Sequence, residues 1–140
     1  MSASFFLDTN VIVYAVDTTH GAAHKRMIAR KIIRAGDFGV SAQVVQEFYV
    51  TATKKLKRPL SIASAARFVE QLLRAEFVGL DSSLIKLGIA HARRYQISYW
   101  DGAIIAAAEA MGATTLYSED LNHAQSYGLV RVLNPFVPAP

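Results

Sequence analysis

The chain has 140 residues, 52% of them hydrophobic and 19% charged, which predicts one folded domain over residues 1–140 and excludes a disordered chain. It has no cysteine, which excludes disulfides and thiolate metal sites, and its apolar runs are far shorter than the ~18 residues of a membrane span. The N-terminus lacks the basic region of a secretory signal, so we expect a cytoplasmic protein with no membrane contact. The formal net charge of +4 mildly favours polyanionic partners and carries no information about the fold.

Short apolar runs alternate with amphipathic helical segments along the whole chain. The predicted strands span residues 5–7, 38–40, 77–80, 114–117 and 129–133. The predicted helices begin near Val11, at Thr18, and behind the candidate caps Ser41, Ser61, Asp81 and Ser98. This alternation is typical of an α/β fold, and it predicts a mostly parallel central sheet of four to five strands with helices on both faces.

Four acidic residues occupy matching places in this layout. Asp8 follows the first strand, Asp120 follows the fourth, Glu47 lies about two turns into the helix after the second strand, and Asp101 lies in the first turn of an alanine-rich helix. In a parallel sheet these strand ends and helix starts share one edge, where binding crevices form. Four acids gathered there would repel each other unless cations lay between them.

Oxygen donors of this kind suit Mg²⁺ or Mn²⁺, and such ions can activate water for phosphodiester cleavage. Each acid also has an ordinary structural explanation. Asp8 can cap a helix, Asp101 can interact with a helix dipole, Asp120 can occupy a polar turn, and Glu47 can lie on a solvated helix face. The joint pattern favours the metal site over these separate explanations.

The motifs in their order resemble the PIN-domain family, and more narrowly the VapC-type toxins of toxin–antitoxin pairs. The resemblance is carried by Leu7-Asp8-Thr9-Asn10 after a strand, Glu47 in an early helix, the segment from Tyr99 to Ala108 and the segment from Tyr117 to Leu121. It covers nearly the whole chain. It implies a three-layer fold with a parallel sheet between helices, and a Mg²⁺- or Mn²⁺-dependent ribonuclease.

The same resemblance assigns roles to residues and implies partners. Asp8, Glu47, Asp101 and Asp120 become the metal-binding acids of a catalytic site, supported by Thr9, Asn10 and Ser118. The carboxylate of Glu119 could bind the metal in place of that of Asp120 or alongside it. The implied partners are an RNA substrate, a small VapB-type antitoxin that blocks the site, and a second copy of the chain in a homodimer.

Other functions stay open from the sequence. The same fold could serve an RNA-processing nuclease or a DNA nuclease, although the short chain argues mildly against a structure-specific DNA enzyme. A non-catalytic module could hold RNA or a partner on its basic faces. A phosphoacceptor domain also clusters acids at strand ends, but this chain lacks an acid pair after the first strand.

Two further features bear on nucleic-acid binding. The basic clusters at residues 25–34 and 54–58 could form a positive rim that holds an RNA backbone, or they could be solvated helix faces. Trp100 precedes Asp101 and could stack on a base, but core packing is the more frequent fate of a tryptophan and is the expectation here.

Overall fold

A computed structural model describes residues 3–138, in which one six-stranded sheet is flanked by helices. The strands are Phe5–Leu7 (β1), Phe38–Ser41 (β2), Glu76–Val78 (β3), Thr115–Tyr117 (β4), Ser126–Tyr127 (β5) and Val130–Leu133 (β6). The helices are Thr9–Val16 (α1), Ala23–Ala35 (α2), Ala42–Val50 (α3), Ile62–Leu72 (α4), Ser82–Tyr95 (α5) and Tyr99–Met111 (α6). A 3₁₀ turn, His20–Ala22, precedes α2, and a π-helical turn, Thr51–Lys55, follows α3.

The strand order is β3-β2-β1-β4-β6-β5, which places β1 in the interior of the sheet. Every pairing is parallel except that of β5 with β6. Phe6 and Leu7 point to opposite faces of β1 and are both fully buried, so helices cover both faces of the sheet. This confirms the predicted α/β architecture with a mostly parallel sheet.

The predicted number of four to five strands is wrong, because the sheet has six. The additional strand, β5, has two residues and pairs antiparallel with β6 across a tight turn at Gly128 and Leu129. Gly128 has a φ of +64°, which is the conformation that a two-residue hairpin requires at its first central position. A strand of two residues is too short to produce a hydrophobic period, so only the glycine could have indicated it.

Small differences at the ends of elements follow from local conformation. The helix predicted from Thr18 begins at Ala23, because the 3₁₀ turn intervenes. Strand β3 begins one residue earlier than predicted and ends at Val78. These offsets leave the order of elements unchanged.

The predicted helix caps are confirmed. The side chains of Asp8, Ser41, Ser61, Asp81 and Ser98 each accept a backbone N–H in the first turn of the helix that follows. Local side-chain chemistry therefore sets where these helices begin. Within residues 3–138, none of the helices combines the length and the apolar character needed to cross a bilayer.

Helices α5 and α6 pack unusually closely at their glycines. A Cβ atom on Gly102 would lie 2.4 Å from the backbone oxygen of Gly88 and 2.9 Å from the backbone nitrogen of Ala92. The alanine-rich α6 also buries Ile104 to Ala108 in the core. The small side chains thus bring α6, which carries Asp101 at its start, tightly against its neighbours.

Candidate active site

Asp8 is buried at the junction of β1 and α1, with 5% of its surface exposed. Its Oδ1 accepts a hydrogen bond from the backbone N–H of Thr9 at 2.7 Å, and its Oδ2 accepts one from the hydroxyl of Ser118 at 2.8 Å. Leu7 and Tyr117 are paired in the sheet, so the residues that follow β1 and β4 are neighbours. Asp8 therefore caps α1 and also faces the turn after β4.

Asp120 shares two partners with Asp8. The Nδ2 atom of Asn10 donates to Oδ2 of Asp120 at 3.0 Å and to Oδ2 of Asp8 at 3.4 Å. The Oγ of Ser118, which gives its hydrogen to Asp8, accepts the backbone N–H of Asp120 at 3.1 Å. One amide and one hydroxyl thus hold the two carboxylates at the same edge of the sheet.

The environment of Asp8 disfavours its charged form. Burial raises its pKa from 3.8 to about 7, and the charges of Asp120 and Glu47 add to the rise. Hydrogen bonds from Ser118 and Thr9 lower the pKa but do not offset the burial. A bound cation would stabilise the charged form of Asp8, because this carboxylate is buried and its charged neighbours are also acids.

Asp101 reaches the same region from the first turn of α6. Its backbone N–H is capped by the Oγ of Ser98 at 3.1 Å, and its side chain is half-buried. Burial raises the pKa of Asp101 and the charge of Asp120 adds to the rise, whereas a hydrogen bond with Ser98 lowers it. Asp101 and Asp120 are therefore close enough to interact electrostatically, although no hydrogen bond links them among the described residues.

Glu47 approaches from α3 and is exposed. Its Oε1 accepts a hydrogen bond from the Nε2 of Gln43 at 2.8 Å, and the same Nε2 lies 3.4 Å from the carbonyl oxygen of Trp100. Because Trp100 directly precedes Asp101, Gln43 connects Glu47 to the start of α6. The charge of Glu47 also contributes to the raised pKa of Asp8.

Glu119 faces a different set of partners. Its Oε2 lies 2.8 Å from the Nζ of Lys25, and its Oε1 accepts the hydroxyl of Tyr14 at 2.8 Å. Lys25 also lies over the ring of Tyr14, 4.7 Å from its centroid. In this geometry the carboxylate of Glu119 is engaged with a cation, while that of Asp120 faces Asn10.

Asn10 directs its Nδ2 atom at Asp8 and Asp120, so the candidate ligands among the described residues are the carboxylate oxygens of the four acids. Such a donor set fits a hard divalent cation. Within residues 3–138, no three acidic or histidine side chains lie close enough together to form a complete ligand group. The hydroxyl of Thr9, buried beside Asp8, has no hydrogen-bond partner in that part of the chain. The structure thus brings Asp8 and Asp120 together and Asp101 and Glu47 near them, and the metal-binding role of these residues stays a prediction.

Several contacts around the site were not predicted from the sequence. Gln43 precedes Glu47 by four residues on one helix, a spacing that could have indicated the contact. Tyr14 and Lys25 meet Glu119 across 105 and 94 residues, and no local pattern predicts such contacts.

The basic cluster of α2 is partly engaged in structural contacts. Arg26 donates to the carbonyl oxygens of Asp17 and Thr19 at 2.8 and 3.3 Å, and Arg30 donates to that of Ala15 at 2.9 Å. These arginines satisfy carbonyl groups at and beyond the end of α1. This part of the cluster is therefore explained without nucleic-acid binding.

Comparison with known proteins assigns the family. Residues 5–129 match the family model described as PIN domain. The chain belongs to the PIN-domain family, which confirms the resemblance seen in its motifs. A search of curated proteins found no match to this sequence.

Solved structures share the fold at low sequence identity. A toxin–antitoxin complex from Klebsiella pneumoniae has a TM-score of 0.69 at 17% identity, covering 94% of this chain and 98% of that chain. Mycobacterium tuberculosis VapC20, described as a sarcin–ricin loop cleaving toxin, has a TM-score of 0.65 at 16% identity, covering 84% and 90%. DNA-bound VapBC from Salmonella typhimurium has a TM-score of 0.63 at 19% identity, covering 93% and 96%. At such identities the likeness concerns the fold.

Proposed function

We propose that this protein is a metal-dependent endoribonuclease and the VapC-type toxin of a toxin–antitoxin pair. Membership of the PIN-domain family and the fold shared with toxins of such pairs support the proposal. The observation that carries it is the pairing of Asp8 with Asp120 through Asn10 and Ser118 at the carboxyl edge of the sheet. Open α/β sheets bind their ligands at this edge.

The proposed cofactor is Mg²⁺ or Mn²⁺, held by Asp8, Asp101, Asp120 and Glu47. Such an ion, when bound, activates water and neutralises charge on a phosphate. Ser118 and Asn10 orient the carboxylates of Asp8 and Asp120, and Gln43 orients that of Glu47. The burial of Asp8 keeps this orientation fixed and excludes competing solvent.

The proposed partners are an RNA substrate, a VapB-type antitoxin and a second copy of the chain. Solved relatives that include toxin–antitoxin complexes support an antitoxin partner. We propose that the antitoxin covers the acidic edge and so blocks cleavage. The excess of lysine and arginine, 15 against 11 acidic residues, suits a polyanionic substrate.

The test compares two aspartates that both cap helices. Asn is as good a helix cap as Asp, so Asp8→Asn and Asp81→Asn preserve the caps of α1 and α5 equally. We expect the wild type and Asp81→Asn to cleave RNA with Mg²⁺ or Mn²⁺. Asp8→Asn should lose the activity, and EDTA should abolish cleavage by the wild type and by Asp81→Asn.

Other outcomes identify other functions. Cleavage that persists in EDTA and in Asp8→Asn would overturn the metal mechanism. Cleavage of DNA in preference to RNA would indicate a DNA nuclease on the same fold. RNA binding with no cleavage, and no Mn²⁺ binding that depends on Asp8 and Asp101, would indicate a non-catalytic module.

A further inference from the structure

Trp100 is exposed, which overturns the expectation that it packs in the core. It is the single tryptophan of the chain, and 65% of its surface is accessible. It lies in the first turn of α6, directly before Asp101. The indole therefore contributes little to the core and is accessible to a ligand bound at the candidate active site.

The indole of Trp100 contacts the aromatic ring of the preceding residue. The ring of Tyr99 packs edge-on against it, with centroids 5.1 Å apart and an interplanar angle of 74°. The carbonyl oxygen of Trp100 lies 3.4 Å from the Nε2 of Gln43, which also donates to Glu47. The backbone of Trp100 is thus connected through Gln43 to Glu47, and its indole stands at the start of α6 directly before Asp101.

Trp100 lines a groove of about 110 Å³. Its walls are mainly apolar, and they include Val78, Leu80, Leu84 and Ala103. Sites for whole cofactors or drug-sized ligands are larger, about 300 Å³ or more. The size and lining of the groove therefore favour a single flat ring.

The polar rim of the groove leads to a basic segment. Gln46 lines the groove at Trp100, and it also lines a shallow depression shared with Glu47 and Lys55. Lys55 belongs to the exposed run 54–58, which has four basic side chains and begins within the π-helical turn after α3. Trp100, Glu47 and Lys55 thus line two adjoining depressions that meet at Gln46.

This order favours a single-stranded nucleic acid over a protein segment. Proteins that bind single strands combine a basic path for the backbone with aromatic side chains on which bases stack. The amide of Gln46 can both donate to and accept from the edge of a base. A purely apolar peptide would form no favourable charge interaction with the lysines.

We propose that Trp100 and the adjacent groove form a subsite that stacks one nucleobase of single-stranded RNA next to the scissile phosphate, with the backbone continuing towards Lys55. The inference rests on the proposed nuclease function and adds a residue that determines where the substrate is held. Base–aromatic stacking is lost when the aromatic ring is truncated, which lowers affinity about tenfold.

Because Trp100 is the sole tryptophan, its fluorescence reports directly on the subsite. The full-length protein in EDTA is titrated with an unstructured oligoribonucleotide, and separately with the same oligomer made abasic. We expect the first to quench the emission to saturation and the second to bind more weakly without quenching. Trp100→Ala should raise the KM for RNA about tenfold with little change in kcat, and Trp100→Phe should restore most of the loss.

The matched control is Leu129→Ala, which truncates another exposed apolar side chain in the turn at the opposite edge of the sheet. It should leave the KM unchanged. RNA that saturates the protein without changing the emission, or an unchanged KM in Trp100→Ala, would overturn the subsite while leaving the nuclease proposal intact. Emission that changes with protein concentration or antitoxin but not with RNA would show that a protein covers Trp100. Quenching by RNA without metal-dependent cleavage would support the subsite and overturn the nuclease.

Discussion

The hydroxyl of Ser118 donates to Asp8 at 2.8 Å, although 110 residues separate them in the chain. Both side chains are buried, and Ser118 is completely inaccessible. The contact exists because β1 and β4 are adjacent parallel strands that end at the same level. It stabilises the charged form of a carboxylate that its surroundings otherwise disfavour.

Ser118→Ala should therefore raise the pKa of Asp8 further. If ionised Asp8 is needed for activity, the acidic limb of the pH–rate profile should move to higher pH. The loss of a buried hydrogen bond to a charged group should also cost about 1–3 kcal/mol of stability. Ser126→Ala removes the hydroxyl of an exposed serine and serves as the control. An unchanged pH profile in Ser118→Ala would contradict this role.

Asp8 should make the metal-free protein less stable as the pH rises. Its pKa is 3.8 in the unfolded chain and about 7 in the folded one, so the folded state favours the protonated form. Its contribution to stability is fully present below pH 3.8 and is lost as the pH rises through about 7, a change of about 4 kcal/mol.

Asp8→Asn removes this titration. In EDTA, its stability relative to the wild type should increase from pH 4 to pH 8, measured by urea unfolding. The new amide group would face the donors of Ser118 and Asn10, which lowers the stability of Asp8→Asn by the same amount at every pH and leaves the trend unchanged. Asp81→Asn, which alters an exposed helix cap, is the control. Added Mn²⁺ should stabilise the wild type at pH 8 and leave Asp8→Asn unaffected.

Substitutions of Asp120 and Glu119 should differ in their effect on metal binding. Glu119 is engaged by Lys25 and Tyr14, so Glu119→Gln should retain metal affinity within a few-fold. Asp120→Asn should weaken Mn²⁺ binding by at least about tenfold, measured by calorimetry. The Lys25–Glu119 ion pair is partly exposed, so Lys25→Met should lower the free energy of unfolding by less than about 1 kcal/mol. A larger loss of metal affinity in Glu119→Gln than in Asp120→Asn would reverse the assignment.

Gly102→Ala should destabilise the protein, although alanine favours a helix by about 1 kcal/mol over glycine. The added methyl group would meet the backbone of α5 at 2.4 Å, so the helices must separate. Overpacking of this kind costs about 1–3 kcal/mol, and the shift of α6 should also displace Asp101 and lower activity. Gly21→Ala, where a methyl group meets nothing within 4 Å, is the control. Thermal unfolding of the two variants measures the difference.

The sequence alone was sufficient for the features that depend on neighbouring residues. Helix starts at Ser41, Ser61 and Ser98 could be predicted because a cap and its target N–H are three residues apart. The alternation of apolar runs with amphipathic segments predicted the parallel sheet, because each element buries a face with its own period. The positions of Asp8, Asp101 and Asp120 in the chain followed from the same pattern.

Tertiary structure decided what depends on distant residues. Which acid faces Asn10 and which faces Lys25 follows from the packing of the turn after β4 against α1 and α2. Trp100 is exposed although most of α6 is buried, and no helical period specifies which end of the helix meets solvent. The two-residue strand β5 exists only through its pairing with β6. Local chemistry determined where the elements begin, and long-range packing determined which side chains meet at the site.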